Sequence, residues 1–454
     1  MFTVGLGIAV VATLARRLAA PATPLPPGPR RLPLIGNLFQ MPTENVPLVF
    51  HDWAKVYGDI IYLAIPRRSF LILDSVAAAT ELLDKKSAIY SDRPNFPLYD
   101  LFGWETCLAL IPYGKKLIKH RQMHHSYLNQ QKCAEHKPMQ LREARTLASN
   151  LLAADANESD YQIYLNRFAT GIITQIVAGH RITDPNDPYL VLSKQVIQAF
   201  DEAGPPGRSL IDLFPIFAQL PRWFPGTYYA SVADKWRPII QELHDLPFRM
   251  VQSQTALGSA RPSFVLTQLT FMENKTLTAQ EEQDMKGSTS AMFAAGEVST
   301  WSSLSVFVLA MVLHPDCQLR AQQEIDHVIG STRLPEFSDR ASLPYLECLY
   351  QEVYRWQPVI PLGLPHRCTT NNVYRGMFIP EGTIVLANIK SSIRISPRQS
   401  ILTKPRGMTL DPSIYHDPTK FIPERYLAAP EGKEEPFFAA KFGFGRRYVT
   451  DQYI

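Results

Sequence analysis

Near the end of the 454-residue sequence stands Lys441-Phe442-Gly443-Phe444-Gly445-Arg446-Arg447-Tyr448-Val449-Thr450-Asp451, a loop of aromatic residues and glycines closed by two arginines. Working outward from it, Pro423-Glu424-Arg425-Tyr426 supplies another arginine, and Glu352-Val353-Tyr354-Arg355 lies 70 residues before that. Glu352 and Arg355, at i and i+3, share one face of a helix over 346–356. On a surface such a pair contributes little. Leu346, Leu349 and Val353 surround it and Pro358 and Pro361 follow it, so a buried bidentate pair is the second reading. Burial needs a further group to complete the pair, and Arg425 is the candidate.

The strongest helical signal begins at Thr278-Ala279-Gln280-Glu281, a capping box, and runs to His314, where Pro315 stops it. At ~1.5 Å per residue, roughly 36 residues span ~54 Å and cross a whole domain. The stretch 302–313 is apolar nearly all round and is expected to be buried. In the middle, Ala294-Ala295-Gly296-Glu297-Val298-Ser299-Thr300 removes side-chain bulk and then presents hydroxyls, which can bond the carbonyl at i−4. The gap admits either a flat ligand or a closely packed second helix. Residues 59–73 alternate as a hairpin around Pro66-Arg67-Arg68, and short strands return at Val373-Tyr374 and 383–387. The expected fold is mainly α with a small β portion, one large domain over 49–454.

These segments together resemble the cytochromes P-450, the haem-thiolate monooxygenases, from the proline hinge to the terminal loop. The resemblance implies that Phe442, Gly445 and Arg447 form the haem-binding loop. Glu352, Arg355 and Arg425 become the structural triad behind it. Gly296 lets haem approach the long helix. Ser299 and Thr300 take the hydroxyl positions that deliver protons, and Val298 stands where the family has an acid. Glu297 is one residue early, ~100° around the helix, and cannot simply substitute for it, but it stands with Ser299 and Thr300 as a catalytic candidate. In Leu117-Ile118-Lys119-His120-Arg121, Arg121 matches a propionate-binding arginine beside His120, and Leu117 replaces the family's Trp. Arg367 matches a second propionate arginine, and two arginines suit two carboxylates. The implied cofactors are haem b and, through a separate flavoprotein reductase, NADPH. The implied substrate is an apolar small molecule met by Phe96, Tyr99, Phe102 and Trp104. The resemblance is to membrane-bound fungal members of secondary metabolism.

Two segments depart from the family. Where the pattern continues x-Cys-x-Gly, Val449 takes the place of the iron-ligating Cys and Asp451 that of the Gly. An isopropyl group has no lone pair for iron, so no metal ligand is expected here. Residues 390–405 are polar and aperiodic and sit between two stretches that would join well, so they read as an insertion. Residues 448–454 read as a tail outside the family pattern, lacking the axial-ligand turn, the following helix and the terminal strands. Both departures fit retained introns. The other reading is a catalytically dead, membrane-tethered relative.

Composition limits the alternatives. Net charge is +4 with basic residues dispersed, which argues against nucleic-acid binding. The five cysteines, Cys107, Cys133, Cys317, Cys348 and Cys368, show no CxxC spacing, which argues against a disulfide framework or zinc site. Residues 2–15 are apolar, Arg16-Arg17 follow, and a proline-rich hinge covers 21–48. The run is short for a span, yet charges that follow it favour a short anchor over 1–20 with a cytosolic body, at the endoplasmic reticulum by resemblance. The sequons at Asn157 and Asn274 would then be unglycosylated.

Overall fold

The computed structural model describes residues 23–154, 161–204, 209–221, 223–224, 227–271, 278–389 and 407–447. The expected anchor over 1–20, both sequons, the 390–405 insertion and the 448–454 tail with Val449 lie outside the described residues. The described chain is mainly helical with two small sheets. The longer helices are α1 (Val46–Tyr57), α2 (Lys115–Tyr127), α3 (Lys137–Ala153), α4 (Tyr161–Ala178), α5 (Pro188–Ala203), α6 (Tyr228–Ala256), α7 (Ala279–Leu313), α8 (Pro315–Val328) and α9 (Pro344–Trp356).

The expected hairpin is β1 (Ile60–Ile65) and β2 (Arg68–Leu73), turning on Pro66-Arg67 with Arg67 at φ 65°. Arg68 already belongs to the strand. β3 (His366–Arg367) and β6 (Ile384–Ala387) complete a sheet of order β1-β2-β6-β3, in which only β2–β6 is parallel. β4 (Asn372–Tyr374) and β5 (Met377–Ile379) form a separate hairpin. One face of the larger sheet packs on Phe50 of α1, through Ile61, Leu63 and Ile72.

α7 begins at the anticipated capping box: Thr278 Oγ1 accepts from Glu281 N at 3.2 Å, and Glu281 Oε2 accepts from Thr278 N at 3.0 Å. It runs through the molecule, packed most extensively on α4 and also on α2, α5, α6 and α9. The main core lies on this side, with Phe293, Met292 and Ala294 of α7 against Ile173 and Val177 of α4 and Leu243 of α6. α7 is long and apolar enough to cross a membrane by length and composition alone, but it buries Asp284 and Glu297 within this packing.

Its second half corrects the expectation of full burial. Ala310 and Met311 are buried against α8 and α9, but Val312 is 72% exposed and Leu309 and Leu313 are also exposed. Among the described residues only one side of this stretch is covered, so an all-round apolar pattern does not translate into all-round burial.

Candidate functional site

The structure buries the Glu352–Arg355 pair completely on α9. Arg355 donates from Nε to Glu352 Oε2 and from Nη2 to Oε1, both at 2.7 Å, the bidentate geometry that strengthens such pairs. Its Nη1 donates to the carbonyls of Thr409 and Pro418 at 2.7 and 2.6 Å. Arg425 completes the triad, with Nε on Glu352 Oε1 at 3.2 Å. The sequence reading omitted two partners. Tyr426 Oη donates to Glu352 Oε2 at 3.0 Å, and Glu435 Oε2 accepts from Arg425 Nη1 at 2.6 Å. Two carboxylates thus balance two guanidiniums, which makes deep burial tolerable. Glu435 sits in an aperiodic loop, and nothing in the local sequence marks it.

Behind this frame, the Phe442–Arg447 loop is laid against the turn Thr80–Lys85. Gly445 has φ +59°, and a Cβ there would collide with the Leu83 carbonyl oxygen, so glycine is required for this approach. The Phe442 ring tilts over Tyr354 at 6.5 Å. The turn delivers the Arg447 guanidinium into the interior. Nε donates to Ser91 O at 2.8 Å, Nη2 to Ile111 O at 2.7 Å and Nη1 to Leu108 O at 3.2 Å. Burial holds its pKa down to about 10, with Asp92 opposing and Arg121 adding to the fall. That places Arg121 within electrostatic reach of Arg447.

A second arginine was not anticipated. Arg93 is buried and donates to three carbonyls, Ala109 O at 2.9 Å, Leu364 O at 2.9 Å and Pro365 O at 2.7 Å. Burial, followed by the Arg447 charge, pushes its pKa well below the usual value. His366 joins them. Its Nδ1 donates to Tyr90 O at 2.7 Å, and burial followed by the Arg93 charge keeps the ring neutral. Strand alternation sends its neighbour Arg367 the other way, onto Asp92, with Nε–Oδ2 at 2.7 Å and a second bond from Nη2. The residue expected at the propionate position therefore already holds a carboxylate, and His366 faces the cluster instead. The sequence signal for Arg93 was the unremarked Ser91-Asp92-Arg93-Pro94.

His120 is turned away from this cluster. It is fully buried on α2, with Nε2 3.6 Å from Asp284 Oδ1, beyond hydrogen-bonding distance. Burial lowers its pKa to about 4 despite the Asp284 carboxylate. Asp284 instead takes a bond from Lys119 Nζ at 2.9 Å.

On α7, Gly296 answers the choice left by sequence. A Cβ there would lie 2.8 Å from Ile173 Cδ1, so the glycine permits close packing on α4. Ala295 and Ser299 lie on an uncovered side of the helix, small and exposed, and Thr300 is half-buried. Glu297, expected among the proton-delivering residues, is turned into the core between α4 and α5, bonded to Asn166 and Ser193. The ~100° step from the family's acid position separates it from the uncovered side. The aromatic residues expected to meet substrate are packed in the main core: Trp104 stacks on Phe200 at 5.0 Å, and Tyr99 Oη donates to Gly204 O at 2.7 Å.

Chemically, the cluster is a concentration of cations bonded to neutral carbonyls, with Asp92 spent on Arg367. It suits a ligand carrying carboxylates. All five cysteines are buried and free, and no group of His, Cys, Asp or Glu suited to a metal ion occurs among the described residues.

Comparison with known proteins agrees. The cytochrome P450 family model matches residues 26–448. Cytochrome P450 monooxygenase 136 of Postia placenta is 36% identical over 440 residues, covering 95% of this chain and 79% of the relative. Cytochrome P450 monooxygenase COX2 of Coprinopsis cinerea is 35% identical, covering 99% and 82% respectively. Cytochrome P450 monooxygenase claR of Ampulloclitocybe clavipes is 36% identical, covering 94% and 76%.

Proposed function

The chain belongs to the cytochrome P450 family, and from that premise we propose that it carries the scaffold of a haem monooxygenase whose iron ligand has been replaced. The observation that carries the reading is the buried Arg93–Arg447 pair, bonded among the described residues to carbonyls, with His366 and Arg121 alongside. These residues would hold the haem propionates, and charge–charge repulsion between the two guanidiniums would be relieved by the incoming carboxylates. Ala295 and Ser299 would border the ring. Ser299 and Thr300 carry hydroxyls suited to passing a proton at their Oγ atoms.

When bound through a thiolate, haem supplies the activation of dioxygen that inserts one oxygen atom into an organic substrate, with electrons from NADPH by way of a reductase. The propionate end fits the group; the axial position does not. Val449 offers no donor pair, so the chain as written binds haem without a thiolate and does not hydroxylate. The substrate class consistent with the family is an apolar small molecule.

The proposed place of action is the endoplasmic reticulum membrane, with residues 1–20 as anchor. Leu34 is 85% exposed, Phe39 80% and Trp223 80%, apolar groups suited to a lipid interface.

Haem titration followed by the absorption spectrum of the reduced carbon monoxide adduct tests the reading. The wild-type chain is expected to lack the thiolate signature and the Val449→Cys/Asp451→Gly variant to gain it. A thiolate spectrum, or NADPH-dependent oxygenation by the wild-type chain, refutes it.

A further inference from the structure

Where α7 crosses α4 and α5, Glu297, Asn166, Ser193 and Thr170 meet in the core, Thr170 Oγ1 donating to Ser193 Oγ at 3.4 Å. Asn166 Nδ2 donates to Glu297 Oε1 at 2.7 Å and to Ser193 Oγ at 3.1 Å, and Ser193 Oγ donates to the same Glu297 Oε1 at 3.0 Å. Glu297 and Ser193 are fully buried and Asn166 nearly so. Among the described residues, two buried atoms in this group have no hydrogen-bond partner: Glu297 Oε2 and Asn166 Oδ1. If Glu297 were ionised, both would be acceptors without donors, one of them sharing a buried negative charge, at a cost of several kcal/mol. One proton on Oε2 removes both defects. The acid carbonyl accepts the amide N–H, as observed, and the acid O–H becomes a donor for which the amide carbonyl of the same bonded pair is the open acceptor, so that a cyclic acid–amide pair would close.

We infer that Glu297 is a protonated carboxylic acid below neutral pH, paired with Asn166, and that this pair is a positioning device holding α4 and α5 on the Ala294–Thr300 stretch of α7. Burial agrees, outweighing the two bonds to push the carboxyl up to about 7. No charge on a packed element opposes this. On α4, Arg167 is spent on the Ile182 carbonyl at 3.0 Å, and on α5 Lys194 is exposed. On α6, Asp245 is paired with Lys286 of α7 at 2.8 Å, and burial keeps His244 neutral. The same pair secures the tight Gly296–Ile173 approach next to it. It also removes Glu297 from proton delivery, since its proton is engaged inside the core. The inference concerns helix packing and holds whether or not haem binds.

The sign follows from linkage. The folded-state pKa lies above the unfolded value, so the stability contributed by the proton is full below about 4.5 and is lost as pH rises through about 7. Glu297→Gln preserves the ring without titrating, because its amide N–H donates to Asn166 Oδ1. From pH 6 to pH 8.5 the wild-type unfolding constant is expected to rise on the order of tenfold relative to that of Glu297→Gln, in parallel denaturant titrations. As a second measurement, the infrared spectrum of wild-type protein at pH 6 is expected to carry a protonated-carboxyl band. That band moves on 13C labelling of glutamate, which separates it from Asp100, whose pKa is also raised. Parallel pH profiles of the two proteins, or no glutamate-shifted band, overturn the inference. If Glu297→Gln does not fold, the infrared band alone decides.

Discussion

Deleting residues 390–405 should leave the fold intact and make it more stable. The flanks are already joined. Met408 N donates to Asn388 O at 3.3 Å, and Thr409 N donates to Ile389 O at 3.0 Å. Both sides are anchored independently. Asn388 Nδ2 donates to Asp74 Oδ1 at 2.6 Å, while Met408, Thr409 and Leu410 are wholly buried and Thr409 O holds Arg355. With Ile389 connected to Arg406, the two cross-flank bonds become i→i+4, the spacing of a single helical turn. The tie is therefore compatible with a one-residue link, and the expected cost of residues 390–405 is closure entropy. From (3/2)RT ln n, closing a loop of that length costs about 2 to 3 kcal/mol more than the short link. In a chain this large, that corresponds to a rise in melting temperature of about 3 °C. Thermal melts of the full chain and the deletion variant, run in parallel, read this difference. A deletion variant that melts lower, or is recovered only as aggregate, would refute the argument, because residues 390–405 would then be making contacts the fold requires.

Removing the charge of the triad with Glu352→Gln leaves Arg355 and Arg425 buried with too few carboxylates. It should cost about 3 to 5 kcal/mol in denaturant unfolding, the range for breaking a buried pair. Gly445→Ala forces a Cβ into the Leu83 carbonyl at positive φ. A loss of at least about 1 to 2 kcal/mol and a weakened loop are expected, checked by melting and by protease cleavage after Arg446 or Arg447. Replacing Arg447 with Gln removes one of the charges holding His366 neutral, so the His366 pKa should rise, as NMR titration of the ring would show. His120 has a folded pKa lowered to about 4, below its unfolded value. The stability it contributes is present above about 6.5 and is lost as pH falls toward 4, so the acid side of the stability profile should be flatter in His120→Gln than in the parent.

Much of the architecture could be read before the structure because it rests on local rules. The capping box at Thr278, the Pro315 stop and the alternation of residues 60–73 act within a few residues, and each element appears where those rules put it. Glu352 and Arg355 are set on one face by helical spacing alone, and burial of the pair requires a further group, for which Arg425 is the candidate. What escaped was set by contacts between distant segments. Arg93, His366 and Arg447 meet because a loop, a short strand and the terminal turn converge, and no periodicity links them. The alternation of a two-residue strand decided that His366, not Arg367, faces the cluster. The aromatics at 96–104 gave a correct apolar signal, but only packing showed that they belong to the core.

Sequence by itself determined the family, the long capped helix, the helix carrying Glu352 and Arg355, the first hairpin and the glycine at the terminal turn. These depend on residue identity and short-range spacing. Tertiary structure alone decided that Glu297 faces Asn166 and Ser193, that Gly296 serves helix packing, and that the chain closes on itself across residues 390–406. A helix places neighbouring side chains ~100° apart, and which of those directions becomes buried is settled by what the rest of the chain brings against it.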